Sequence, residues 1–110
     1  MDILPKGDTL MRLTPKELER TTIFTVAEMA RRRRGRGIKL NHPEAVALIC
    51  DELLEEARAG KSYEEVMDAG SRVLSKSDVM DGVSELVRPI KVEAGFESGT
   101  KLIVIADPIQ

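Results

Sequence analysis

The stretch Asn41 to Gly60, NHPEAVALICDELLEEARAG, constrains the fold more than any other part of the chain. Asn41 can accept a hydrogen bond from a free backbone N–H at a helix start, and Glu44, three positions on, can reach back to close a capping box. Gly60 suits the left-handed stop. Both ends of a helix are thus written locally. Between them, Ala45-Val46-Ala47-Leu48-Ile49-Cys50 is apolar at every position, which on a 3.6-residue period covers all sides of the cylinder rather than one stripe. Such a helix must be surrounded. At about 1.5 Å per residue it runs roughly 25–30 Å, the width of a small domain, so other elements can pack along its whole length.

The flanking segments supply those elements. Thr14-Pro15-Lys16-Glu17 reads as a cap, a proline at the first helical position and a closing glutamate, with Leu13 and Leu18 placed for a hydrophobic staple. From Leu18 through Ile23, Phe24, Val26, Ala27 and Ala30 the apolar positions form one broad face that can cover the central helix. Arg31 to Arg34 place positive charge at the negative end of the dipole before Gly35 and Gly37 break the helix. Ser62-Tyr63-Glu64-Glu65 repeats the capping grammar and opens a shorter helix through about Leu74, with Val66, Met67, Ala69, Gly70, Val73 and Leu74 as its apolar contacts. Ser75-Lys76-Ser77-Asp78 offers a final short helix through about Asp81, stopped by Gly82. Residues 1–10 mix proline, glycine and charge without a period and read as an extended or disordered leader, leaving residues 11–110 as one domain.

After Pro89 the pattern switches to period two. Ile90 to Ile105 reads as a hairpin turning on Ser98-Gly99. That turn pairs Phe96 with Lys101, Ala94 with Ile103 and Val92 with Ile105, giving one apolar face. The opposite face carries Gly95 beside Leu102 and Glu93 beside Val104, so it is only half polar. A hairpin that merely capped a monomer would show water a cleaner polar face, and this second side points to a protein partner. The predicted fold class is α+β: about four helices bundled around a buried central one, followed by a C-terminal antiparallel β-hairpin.

Catalytic inventory is sparse. His42 and Cys50 lie about 12 Å apart along one helix and cannot share an ion. Cys50 sits in an apolar run with no adjacent base, the setting of an inert core thiol, and as the lone cysteine it excludes an internal disulfide. Asp51, Glu52, Glu55 and Glu56 crowd like charges at i,i+4 near a helix C-terminus and call for a cation, with Lys16 or Arg20 of an antiparallel first helix better placed than Arg31 to Arg34. No Ser–His–Asp set or phosphate loop is present, and Gly35-Arg36-Gly37 follows a helix and lacks the third glycine of a dinucleotide fingerprint. The expected sets of catalytic, cofactor-binding and metal-binding residues are all empty. A charged fraction of 33% and a hydrophobic fraction of 42% fit a small globular domain, whose core must be aliphatic because Phe24, Phe96 and Tyr63 are the only aromatic residues. A net charge of −2 argues against general affinity for nucleic acid or anionic membrane, and no signal peptide or run of about 18 apolar residues appears.

Several blocks, taken in order, resemble the gamma subunit of bacterial-type urease. They are Leu13-Thr14-Pro15-Lys16-Glu17, the long run from Arg36 to Ile49 (RGIKLNHPEAVALI), Val79-Met80-Asp81-Gly82-Val83, and Val92-Glu93-Ala94 with Gly99-Thr100-Lys101-Leu102. The likeness extends from Met11 to Ile109, and the long run is its most specific part. Arg34-Gly35 stands where that family tends to have Leu-Ala, Glu97-Ser98 replaces the commoner Pro-Asp, and Ala106 takes the place of a common His. The resemblance implies a non-catalytic, cytoplasmic subunit of a nickel-dependent amidohydrolase that converts urea to ammonia and carbamate. It also implies that two nickel ions and the reacting residues sit on the alpha subunit, that alpha, beta and gamma chains form a heterotrimer, and that three heterotrimers close into a ring. With the chain ending at Gln110, a separate gamma chain is expected rather than a gamma–beta fusion. The alternatives are a small helical nucleic-acid-binding module using Arg31 to Arg36, and a homo-oligomeric scaffold built on the hairpin.

Overall fold

The computed structural model describes Gly7 and residues 10–110; the extended leader expected over residues 1–10 otherwise lies outside the described residues. The elements run α1 (Pro15–Gly35), α2 (His42–Arg58), α3 (Tyr63–Gly70), a 3-10 turn (Lys76–Asp78), α4 (Val83–Leu86), β1 (Ile90–Phe96) and β2 (Gly99–Ile105). The α+β class and the order of helices before hairpin are as the sequence implies.

All three expected capping boxes form. Thr14 Oγ1, Asn41 Oδ1 and Ser62 Oγ accept from the backbone N–H of Glu17, Glu44 and Glu65 at 3.1, 3.0 and 3.2 Å. Each glutamate in turn accepts from the backbone N–H of its cap residue at 2.8, 2.9 and 3.0 Å. Gly60 closes α2 at φ +91°, the left-handed conformation its position called for. With its ends fixed locally, α2 is free to be apolar throughout: Ala45, Ala47, Leu48, Ile49, Cys50 and Leu53 are buried. It packs against α1, α3, α4 and β1. Leu40, Val66, Val87 and Ile103 complete a core with no fully buried aromatic ring.

Four expectations are corrected. On α1 only Ala27 and Ala30 are fully buried, while Leu18 and Phe24 are exposed, so the covering face is narrower than the apolar positions suggest. Small alanines let the two helices approach closely, and arginines take over the flanks. Next, α3 ends at Gly70 rather than near Leu74, because Leu74 forms a parallel bridge with Ile109 near the C-terminus. The helix expected through Asp81 is a single 3-10 turn, since Leu40 N–H donates to Asp78 O and Met80 N–H to Leu40 O, both at 2.9 Å, drawing Val79 into extended pairing with Leu40. Gly82 accordingly does not stop that helix. At φ +84° it launches the one-turn α4.

The fourth correction concerns the hairpin register. Phe96 pairs with Gly99, Ala94 with Lys101, Val92 with Ile103 and Ile90 with Ile105, which puts Glu97-Ser98 in the loop. A primed turn on Ser98-Gly99 would ask Ser98 for a positive φ, and no non-glycine residue of the described chain has one. Gly99, at φ +117°, absorbs the positive angle after the turn instead. The slip is two residues, so every side chain keeps its face. Ile90, Ala94, Ile103 and Ile105 are buried as the alternation implies, and only their cross-strand partners change.

Candidate assembly interface

The outward side of the hairpin pairs Lys91 with Val104, Glu93 with Leu102 and Gly95 with Thr100. Leu102 is 51% exposed and Val104 38%. The corrected register therefore sets each branched apolar side chain opposite a charged one, giving a mixed face with apolar atoms in the middle. The sheet contains only these two strands among the described residues, so each strand also offers an unpaired edge.

The face is held rigidly from behind. The Tyr63 hydroxyl at the start of α3 donates to the Leu102 carbonyl at 3.2 Å. Its ring lies 5.8 Å from that of Phe96, and the Lys101 ammonium stands 5.8 Å from both centroids. Rings and cation together tie the hairpin tip to the α2–α3 corner. Sequence reasoning did not single out Tyr63 for this role; its place directly after a helix cap was the available signal.

Four carboxylates of α2, Glu44, Asp51, Glu52 and Glu55, are paired with arginines of α1. Asp51, 1% exposed, accepts from Arg20 at 2.7 Å and from Arg31 at 2.5 Å. Arg20 also reaches Glu55 at 2.8 Å, and Arg31 reaches Glu52 at 2.8 Å and Glu28 at 2.5 Å. Arg20 is the expected counter-ion, whereas Arg31, thought too distant, proves equally close because α1 stays in contact with α2 well beyond its midpoint. Arg33 pairs with the buried Glu44, and Arg34 with Asp78 at 3.4 Å. Burial acts to raise the Glu44 carboxyl, but hydrogen bonds from the Asn41 backbone and Arg33 outweigh it and hold the group below the usual carboxylate range. Arg31, Arg33 and Arg34 thus serve as counter-ions to carboxylates of the same chain.

No set of three or more His, Cys, Asp or Glu side chains among the described residues is arranged to hold a metal ion. His42 is exposed at the start of α2. Burial pushes the Cys50 thiol up to about 11, against a smaller downward pull from Arg20, so it is a poor thiolate donor. This donor set does not fit nickel. Nor is any helix among the described residues long and apolar enough to cross a membrane.

A small α+β domain with an aliphatic core, an internally neutralised charge network and a half-apolar outer sheet has the build of a docking subunit. Comparison with known proteins narrows this class. The family described as "Urease, gamma subunit" matches residues 11–109. The chain is 52% identical over 100 residues to "Urease subunit gamma" of Photorhabdus laumondii, covering 91% of this chain and 100% of that protein. It is 56% identical over 100 residues to "Urease subunit gamma" of Natronomonas pharaonis, covering 91% and 92% respectively. The chain belongs to the urease gamma-subunit family.

Proposed function

We propose that this chain is a non-catalytic structural subunit of a cytoplasmic, nickel-dependent urease that hydrolyses urea to ammonia and carbamate. In this reading the alpha subunit carries the nickel ions and every reacting group, and the gamma chain contributes contacts. Alpha, beta and gamma chains form a heterotrimer, and three of these close into a ring. The observation that carries the reading is the outward hairpin face: Leu102 and Val104 stay in water while being held in place from behind, which favours burial by another chain over any chemistry.

Co-expression with the alpha and beta chains of the same source tests it. The gamma chain is expected to copurify stoichiometrically with both, and urea hydrolysis and nickel are expected in the complex and not in gamma alone. Stoichiometric nickel or urea turnover in the isolated chain, or its absence from the active complex, would overturn the proposal.

A further inference from the structure

The charges of the two long helices are sorted by sign. α1 carries Lys16, Arg20 and Arg31 to Arg34 against Glu17, Glu19 and Glu28, whereas α2 carries Glu44, Asp51, Glu52, Glu55 and Glu56 against Arg58. Among the described residues, every ion pair that α1 makes with another element has its cation on α1. Asp51 receives Arg20 and Arg31, Glu55 receives Arg20, Glu52 receives Arg31, Glu44 receives Arg33, and Asp78 of the 3-10 turn receives Arg34. Apolar ties are few by comparison: Ala27 and Ala30 are the fully buried residues of α1, and Ile23 and Val26 are half-buried. Toward β1 an open cleft intervenes, with Lys16 and Glu19 of α1 on one wall and Lys91 and Glu93 on the other, so both walls carry charges of both signs. The remaining elements do not depend on α1, since α3, α4 and β1 pack on α2, and β2 packs on β1 and α3.

Acid therefore acts on one partner of each pair. Protonating the carboxylates leaves α1 with its lysine and arginines and α2 with Arg58 and a charged His42, and an attraction becomes a repulsion. Burial works to raise the Glu44 carboxyl, but the Asn41 backbone and Arg33 hold it below its ordinary value. The Ser75 backbone N–H, helped by the Ser75 hydroxyl and Arg34, does the same for Asp78. Each acid contributes stability that is fully present above its unfolded pKa, about 4, and is lost as pH falls through the lower folded value. The core residues Leu53, Val66, Ile103 and Ile105, which join α2 to α3 and the hairpin, have no charge to lose.

We propose that α1 is an acid-released layer, which leaves α2 below about pH 4 while α2, α3 and the hairpin keep their packing. Hydrogen-exchange mass spectrometry on the full chain, from about pH 7 to about pH 3 with rates corrected for intrinsic exchange, reads the two parts separately. Peptides of α1 are expected to lose protection about tenfold or more at a pH where peptides of β1 and β2 retain theirs. Glu44→Gln combined with Asp51→Asn imitates two protonated acids. That double variant is expected to lower α1 protection by a similar factor already at neutral pH, with the hairpin unchanged. Simultaneous loss in α1 and the hairpin, undiminished protection of α1 down to the lowest pH, or wild-type protection of α1 in the double variant overturns the inference. Should the double variant not fold, the wild-type series decides alone. Failure here leaves the subunit reading in place.

Discussion

Arg31 Nη2 lies 2.5 Å from Asp51 Oδ2, so a side chain from the C-terminal half of α1 closes on the middle of α2. Arg20, almost at the other end of α1, takes the second oxygen of the same carboxylate at 2.7 Å. One buried acid therefore ties two well-separated points of α1 to α2, and the buried Glu44, paired with Arg33, adds a third.

Asp51→Ala removes the acceptor shared by both arginines, leaving Arg20 with Glu55 and Arg31 with Glu28 and Glu52. Since the arginines are partly exposed and keep other carboxylates, no buried charge is left unpaired, and the expected loss is that of the hydrogen bonds to Asp51, about 2 kcal/mol. Urea denaturation at neutral pH measures it. Asp51→Asn keeps the shape and one acceptor, so its loss should be smaller.

At Gly70 the absence of a side chain is a packing requirement. A Cβ there would stand 2.5 Å from both Ile105 Cδ1 and Leu53 Cδ2, two methyl groups belonging to the buried core. Gly70→Ala gains up to about 1 kcal/mol of helix propensity. Overpacking typically costs 1–3 kcal/mol, so a net loss of about 1 kcal/mol is expected, read as a lowered Tm in a calorimetric melt.

Much of this architecture was legible because it is encoded locally. The boxes at Thr14, Asn41 and Ser62 each depend on two residues three positions apart, and the burial of α2 follows from a run with no polar position. What stayed hidden depends on partners distant in sequence. Leu74 leaves the helical path to bridge Ile109, and Val79 leaves it to bridge Leu40; neither partner adjoins the segment it terminates. The hairpin register depended on which residue takes the positive φ, a choice the Ser98-Gly99 pair does not announce. The outward hairpin face was readable because a two-residue slip preserves sidedness, but its support by Tyr63 was not, since that hydrogen bond spans the chain from α3 to β2.

Glu44 gives a pH prediction with a definite sign. Its carboxyl is held below the ordinary value in the folded state, so its contribution to stability is fully present above the unfolded pKa, about 4.3, and is lost as pH falls through the lower folded value. Glu44→Gln retains a side-chain acceptor for the Asn41 N–H but gives up the charge opposite Arg33. The variant is expected to be less stable at pH 7 by about 1 kcal/mol and to show a shallower decline between pH 5 and pH 3. Parallel urea titrations across that range check this, and an unchanged acid slope would show that the Glu44 carboxyl binds protons alike in the folded and unfolded chain.

The hairpin separates stability from assembly. Leu102 contributes its backbone carbonyl to Tyr63 and its backbone to the β1 pairing, while its side chain projects into water opposite Glu93. Leu102→Asp leaves both backbone roles intact and removes no core contact, so the isolated chain should lose only about 1 kcal/mol, from the poor fit of aspartate to a strand and the like charge of Glu93 opposite. Burial against another subunit would place the new carboxylate beside Glu93 in a desolvated contact, a cost of several kcal/mol that amounts to a hundredfold or greater loss of affinity. A small loss of stability with lost copurification is the expected pair of results. Unimpaired copurification would mean that this face remains in water in the complex and that assembly runs through other surfaces of the chain.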